Sequence, residues 1–280
     1  MKYQILSTRK NPITPALGYD VIFEQEVPEG LSKNLGFRLM MENAVDVYDF
    51  SFADLSNGNL SGLRLSDKMF NNADFTGANL SRTEFYSSLL IGANFLRANL
   101  IDSSLRRAHM TGANLEDADL TRADLYNTDL TNANLTNVTL TGANLKGANL
   151  SGVDLRTADL KAIKSDFFDV LLRAPQEIGG LREALVRGVV DGSTYAGECA
   201  CLVGSIANLQ GTSIHSLQNG LAPDATRPAE KWFLAIGKGD TPETNQVSAI
   251  TVEWIDEFVS LMTEHTYAQL RKVKLMTSKI

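Results

Sequence analysis

TNANLTNVTLTGANLKGANL, residues 131–150, places a leucine at every fifth position: Leu135, Leu140, Leu145 and Leu150. Neither common secondary structure supports that spacing, since a helix face returns about every 3.6 residues and a strand face about every 2. The register extends through every multiple of five from Phe50 to Leu160. Of its 23 positions Leu fills 17, Phe five (50, 70, 75, 85 and 95) and Met110 the last. Two residues before each lies a register of small side chains. Ala holds 13 of these, Gly58, Thr83, Ser88, Ser103, Thr128, Val138 and Val153 seven more, and only Tyr48, Leu63 and Lys68 depart. Between the registers most units carry Asp or Asn, and Ser, Thr or Gly commonly follows the large residue.

One large and one small side chain two residues apart share a face only in an extended segment. Gly, Asn and Asp tolerate turns. A chain that bends every five residues in one sense winds into a coil with the large residues inside. Stacked coils would pair backbone to backbone at about 4.8 Å. No single coil buries its own face, so the stack must be long and its ends covered.

ADLTRADLYNTDLTNANL, residues 118–135, resembles the pentapeptide-repeat family, whose motif is A(D/N)LXX. The resemblance covers roughly residues 46–164. It implies a right-handed quadrilateral β-helix, four units to a coil and between five and six coils, with the large and small registers inside. The stretch from Gly58 to Asn72 departs from the motif at Leu63, Arg64 and Lys68, where a bulge or a loosened coil is expected. The repeating Leu, Ala and Asp/Asn positions read as structural, so function is expected on outward residues.

With four units per coil, residues twenty apart share a column. One column reads Ser66, Tyr86, Arg106, Tyr126, Lys146, and Arg107 stands in the next. Alternating aromatic and basic groups suit an aromatic or Arg-rich partner, or an anionic ligand at Arg106 and Arg107; they equally suit a solvated ladder in which Tyr stacks on Arg. In SSLLIGANFLRANLID, residues 87–102, the inward register leaves Leu89, Ile91, Leu96 and Ile101 facing outward, with Met69 in the column of Leu89. Gathered aliphatics imply a covered surface, the cover being a terminal segment of this chain or another protein. The resemblance also implies a further activity, in which an acidic rod mimics DNA in the saddle of a type II topoisomerase. Residues 46–164 hold 14 acids against 11 bases, a net of −3, and Arg82, Arg97, Arg106, Arg107, Arg122 and Arg156 interrupt the negative field. An acidic stripe through Asp117, Asp119, Asp124 and Asp129 survives.

The flanks differ in kind. Residues 1–45, with five acids and five bases, read as a small β cap closing the first coil's open edge: YQIL and YDVIFEQEV are strands separated by the turn-rich TRKNPITPALG. Residues 165–280 switch to helical spacing and read as an α-helical domain. SDFFDVLLRA has Ser165 as N-cap; LREALVRG and ECACLVGSIANLQG stop at Gly188 and Gly211; AEKWFLAI follows Pro228. VSAITVEWIDEFVSLMTEH puts Val247, Ile250, Trp254, Ile255, Phe258, Leu261 and Met262 on one stripe. The order of array then helices resembles bacteriophage- and prophage-encoded proteins, which implies a bacterial host cytoplasm. The family resemblance implies end-to-end homodimers through a C-terminal element. Here that is the helix of Trp254, Ile255, Phe258 and Leu261, or its basic extension at Arg271, Lys272 and Lys274.

Chemistry is sparse. Cys199 and Cys201 form CxC rather than the CxxC of zinc or redox sites, and His109, His215 and His265 are scattered. DGSTYAG, residues 191–197, lacks the lysine of a phosphate loop. No metal ligand, cofactor site or catalytic residue is assigned. The chain's net charge of −7 argues against direct nucleic-acid binding, and no apolar run approaches the roughly 18 residues of a membrane span. The expected function is a non-enzymatic scaffold that binds, and in binding inhibits, a bacterial host protein through the outer faces of the array and the helical domain. One alternative is a DNA mimic acting on gyrase or another DNA-binding enzyme. The other is an enzyme whose pocket is lined by Cys199, His215 or Asp191.

Overall fold

The computed structural model describes residues 2–10, 19–26, 38–39, 41, 48–192, 202–213, 216–217, 221–222, 224 and 226–277. They fall into two compact units, Met1–Ile163 and Lys164–Ile280. The first begins with an antiparallel pair, β1 (Lys2–Lys10) and β2 (Tyr19–Glu26), whose register shifts between Ile5 and Leu6 and again before Lys10. β1 runs past YQIL to Lys10. The first proline, which cannot donate to a ladder, comes only at Pro12.

From Asp49 onward the backbone pairs with itself twenty residues along. Asp49, Met69, Leu89, His109, Asp129 and Asn149 form one column of parallel bridges, and three further columns follow the same rule. Each bridge is a single residue between two turns. The array is therefore β in its pairing but has no long strands, unlike the mainly β chain expected from the sequence. In the inner coils four backbone amides of each unit are satisfied by backbone. Leu115 donates to the Asn134 carbonyl (2.9 Å) and Asp117 to Thr136 (3.0 Å), one coil on; Asp119 donates back to Ala98 (3.0 Å); Ala118 closes the turn onto Leu115 (2.9 Å).

The fifth amide explains the Asp/Asn register. Thr121 donates its backbone N–H to Asp119 Oδ1 (2.9 Å), and its hydroxyl donates to the same oxygen (2.5 Å). Ser51, Ser61, Ile101, Tyr126 and Ser151 are served likewise by the Asp or Asn two residues before. From Phe52 to Gly152 the second residue after each large one lies in the left-handed region: Arg122 at φ 58°, Asn127 at 55°, Asn132 at 56°. Glycine leaves room there above an asparagine: a Cβ on Gly147 or Gly152 would stand 2.1 or 2.0 Å from Oδ1 of Asn127 or Asn132, whose amide would have to swing aside. Thr139 offers no such acceptor to Thr141. Thr139→Asn is therefore expected to raise the thermal midpoint, by the worth of about one hydrogen bond, roughly 1 kcal/mol.

Inside, the large register is sealed, from Phe50 to Leu155 at 0–2% exposure at almost every position. Its five phenylalanines gather in the early coils. Phe75 stacks on Phe95 (centroids 4.9 Å apart) and meets Phe85 edge-on at 5.9 Å. The departure from the motif between Gly58 and Asn72 makes no bulge: the bridges Asn59↔Asn79, Arg64↔Glu84 and Met69↔Leu89 run on unbroken. Leu63 is buried in the small register, and Lys68 lays its ammonium over the rings of Tyr48 and Phe50. The irregularity lies at the other end. A 3-10 turn at Leu155–Thr157 makes Asn137 donate to Thr157, twenty residues on, where Asn132 donates to Ser151, nineteen on. A ladder of amides, Asn114 to Asn94 (3.0 Å) and Asn134 to Asn114 (3.1 Å), stops there because Asp154 has no proton to donate.

α1 (Lys161–Arg173) starts three residues before the second unit begins at Lys164; that unit holds the rest of it and α2 (Ile178–Val186), α3 (Leu202–Leu209), α4 (Pro228–Phe233) and α5 (Gln246–Thr277). α1 starts four residues before Ser165, which is therefore no cap; Asp159 Oδ1 accepts the Lys161 amide at 3.2 Å, so the array's last carboxylate opens the helix. Gly188 and Gly211, at φ 65° and 64°, end α2 and α3 as expected. α5 continues to Thr277, past the predicted end at residue 265, because no Gly or Pro interrupts residues 247–277. Trp232 stacks on Trp254 (5.3 Å), Phe167 meets Phe233 and Trp254, and Phe168 meets Phe258. Arg227 bridges Asp166 (3.1 Å) and Asp169 (3.2 Å), and Asp166 also accepts the Ala229 amide at the start of α4. Among the described residues no helix is long and apolar enough to cross a membrane.

Candidate interaction surface

The four columns divide the array into four sides joined by corners. Tyr86, Arg106, Tyr126 and Lys146 stack on one corner, twenty residues apart. Arg106 sets its guanidinium 4.7 Å from the Tyr126 ring centre and donates to Asp124 Oδ2 at 3.0 Å. Arg107 lies 6.0 Å from the Tyr86 ring and donates to its hydroxyl at 3.0 Å. Each guanidinium has five N–H donors, so most remain for a ligand. Lys146, higher in the column, is half-buried.

The side that follows this corner carries Met69, Leu89 and His109, and the next corner carries Ile91, which is 44% exposed. Met69, Leu89 and Ile91 are thus contiguous with the Tyr–Arg ladder. Leu96 and Ile101 are not, since five residues make a quarter turn and place them on the following two corners. The same geometry dissolves the acidic stripe. Asp119, Asp124 and Asp129 bridge three different columns and run around the coil, not along it. Asp117 is paired with Arg97 (3.5 Å), Asp124 with Arg106 and Asp102 with Arg122 (2.6 Å). The Arg122 hydrogen bond holds the Asp102 carboxyl below the ordinary aspartate range.

A signal that sequence inspection missed marks the same region. Of the 23 positions just before the large register, 16 are Asp or Asn, and each caps the amide two residues on. The exceptions are Arg64, Met69, Glu84, Leu89, Ser104, His109 and Thr139. All but Thr139 fall on two adjacent sides of three consecutive coils. They frame the corner of Tyr86, Arg106 and Arg107 and include the apolar side of Met69 and Leu89. The pattern was readable from residue types once laid out at period twenty.

Asp129 borders this block above His109. Its carboxyl is held below the ordinary aspartate range, chiefly by the Thr131 hydroxyl, with help from Thr111 and the charge of His109. A depressed folded-state value means the carboxylate stabilises the fold above the unfolded value, and that contribution is lost as pH falls below about 4. Asp129→Asn is expected to flatten that part of the acid limb of a pH–stability curve.

Elsewhere, Trp254, Ile255 and Phe258 are buried at 7%, 0% and 5% exposure, while Leu261 is 50% exposed beside Val259 and Met262. Of the four residues expected in a dimer element, only Leu261 faces outward; the other three are committed to their own unit's core. Cys199, Cys201 and His215 lie outside the described residues, as do the side chains of His265, Arg271, Lys272 and Lys274. Among the described residues no three His, Cys, Asp or Glu are placed to hold a metal ion.

A four-sided stack of five-residue units, turned by left-handed residues and mostly capped by a short acid or amide, defines a class of β-helical solenoid. Residues 49–85, 84–122 and 123–161 match the model of pentapeptide repeats, in eight copies, and the chain belongs to that family. It is similar to a pentapeptide repeat protein of the Arabidopsis thaliana thylakoid lumen, 30% identical over 40% of this chain and 73% of that one, with a TM-score of 0.34. Rfr23 of the cyanobacterium Cyanothece is 38% identical over 30% of this chain and 58% of its own, with a TM-score of 0.30. A trypsin-treated QnrB1, a plasmid-mediated fluoroquinolone resistance protein, is 24% identical over 39% of this chain and 63% of its own, with a TM-score of 0.32. A comparison with curated proteins found no match.

Proposed function

We propose that this chain is a non-enzymatic interaction scaffold that engages a bacterial protein through the array, with the helical unit as a second binding element. The observation that carries this reading is the gathering of six of the seven missing caps in one block of two sides and three coils. A structural rule kept at 16 positions and dropped in a contiguous patch points to a second demand on that patch. The patch has the composition of binding hot spots, with Tyr, Arg and Met around aliphatic groups. Side chains set on a regular backbone also lose little freedom when a partner binds. Inhibition of the partner, a cytoplasmic setting and homodimerisation belong to this reading as its extensions.

DNA mimicry draws less support. A mimic needs a continuous negative field along its length, and here Asp102, Asp117 and Asp124 are each neutralised by an arginine.

The test is capture with position-specific photo-crosslinking. A benzoylphenylalanine replaces Tyr86, Thr136 or Leu261 in the full chain, and the protein is exposed to bacterial lysate. A partner cross-linked from Tyr86 and not from Thr136 is the expected result. Cross-links from Leu261 alone would move the interface to the helical unit. No cross-linked protein from any site would sink the scaffold reading, and inhibition of gyrase supercoiling by the full chain would favour mimicry.

A further inference from the structure

The uncapped block has its own chemistry. Among the described residues, the backbone amides of Ser66, Tyr86 and Arg106 on one corner, and of Asn71 and Thr111 on the next, have no acceptor. Ile91 between the latter two borrows Asn71 Oδ1 from the coil below, at 3.1 Å. Everywhere else but Thr141, the oxygen at this place belongs to an Asp or Asn of the chain itself. The charge of the block also departs from its surroundings. Residues 64–71, 84–91 and 104–111 carry Arg64, Lys68, Arg106 and Arg107 against Asp67 and Glu84, a net of +2 within an array of −3. Beside these donors lie Met69, Leu89 and Ile91, half-buried or exposed.

We infer that this block, within the scaffold reading on which the inference rests, docks an acidic segment of a partner protein that also carries apolar side chains. Its carboxylates take the places left open by the missing Asp and Asn side chains and engage the free N–H groups of Arg106 and Arg107. Its apolar residues cover Met69, Leu89 and Ile91. A nucleic-acid backbone supplies oxygens but nothing to cover that aliphatic side, and the rest of the array, negative overall, repels it. Each corner stacks its donors at the spacing of neighbouring coils, about 4.8 Å, so several carboxylates are held at once.

The test uses the full chain and three fluorescein-labelled probes in a polarisation titration: a peptide alternating glutamate and leucine, its glutamine counterpart, and an oligothymidylate of matching charge. The glutamate peptide is expected to bind, with the other two weaker by about tenfold or more. Arg106→Glu combined with Arg107→Glu should abolish binding, while Arg82→Glu, on a different corner, should leave it unchanged; circular dichroism confirms that both variants fold. Ser104→Asn combined with His109→Asn supplies two of the missing caps, for the amides of Arg106 and Thr111, without adding negative charge. This variant should melt higher and bind the glutamate peptide about tenfold more weakly, as expected for a competing internal acceptor. A merely structural gap would raise the melting point and leave affinity alone. Equal binding of the oligothymidylate overturns the inference. So does a glutamate-peptide affinity that survives either double substitution, or no binding of that peptide at all. A partner cross-linked from Tyr86 in a protein that ignores the peptide would retire this inference and keep the scaffold.

Discussion

Phe75→Ala is expected to lower the free energy of unfolding by about 3–5 kcal/mol, the range for deleting a buried ring. Phe75 is fully buried, stacked on Phe95 and in contact with Phe70 and Phe85 at 5.5 and 5.9 Å. The coil around it cannot collapse into the space, because its backbone is bonded to the coils before and after it: the Phe75 amide donates to Asn94 (2.7 Å), and Asp74 donates to Ala53 (2.9 Å). A cavity in a lattice of fixed pitch stays open, so the loss should sit at the upper end. Phe75→Leu, which refills most of the volume, is expected to cost about 1–2 kcal/mol. Urea unfolding followed by far-UV circular dichroism measures both. A loss below about 1 kcal/mol for the alanine variant would mean that the early coils are not the tight aromatic core described.

The second large effect lies in the helical unit. Trp232→Ala is expected to destabilise that unit by about 3–5 kcal/mol. Trp232 is 2% exposed, stacked on Trp254, and donates its indole N–H to Thr251 Oγ1 at 2.9 Å. Thr251 keeps its own bond to the Val247 carbonyl (2.6 Å), so the loss arises from the cavity more than from an orphaned hydroxyl. The chain's two tryptophans are Trp232 and Trp254. Emission of the remaining Trp254 therefore reports this unit alone, and a red shift at lower denaturant is the expected readout. An unshifted transition would remove α4 from the core.

How far residue types reach is clearest in the array. Period five in Leu and Phe demands an interior that returns every five residues, and the sealed column from Phe50 onward meets that demand. Between Gly58 and Asn72 the motif departs from its pattern but the stack does not. Leu63 and Lys68 leave the coil intact, because hydrogen bonding between coils is made by backbone and tolerates either side chain. Asp and Asn are turn formers by residue type, but the amide they cap is visible only once the turn is built. Ser165 failed as a cap for a related reason: the array's own Asp159 reaches the helix first.

The outward residues show the limit most sharply. Tyr86, Arg106 and Tyr126 lie twenty apart, and one period suffices to stack them. Asp119, Asp124 and Asp129 look like a stripe on paper yet face three directions, because each unit turns the chain by a quarter of a circle. Leu96 and Ile101 part from Ile91 on the same account. Periodicity alone determined which residues are inside and which are outside, since burial of a large side chain is a local choice repeated along the chain. Which outward residues are neighbours was decided only by the closing of each coil on the one before it, because proximity across twenty residues depends on backbone hydrogen bonds that no single unit makes alone.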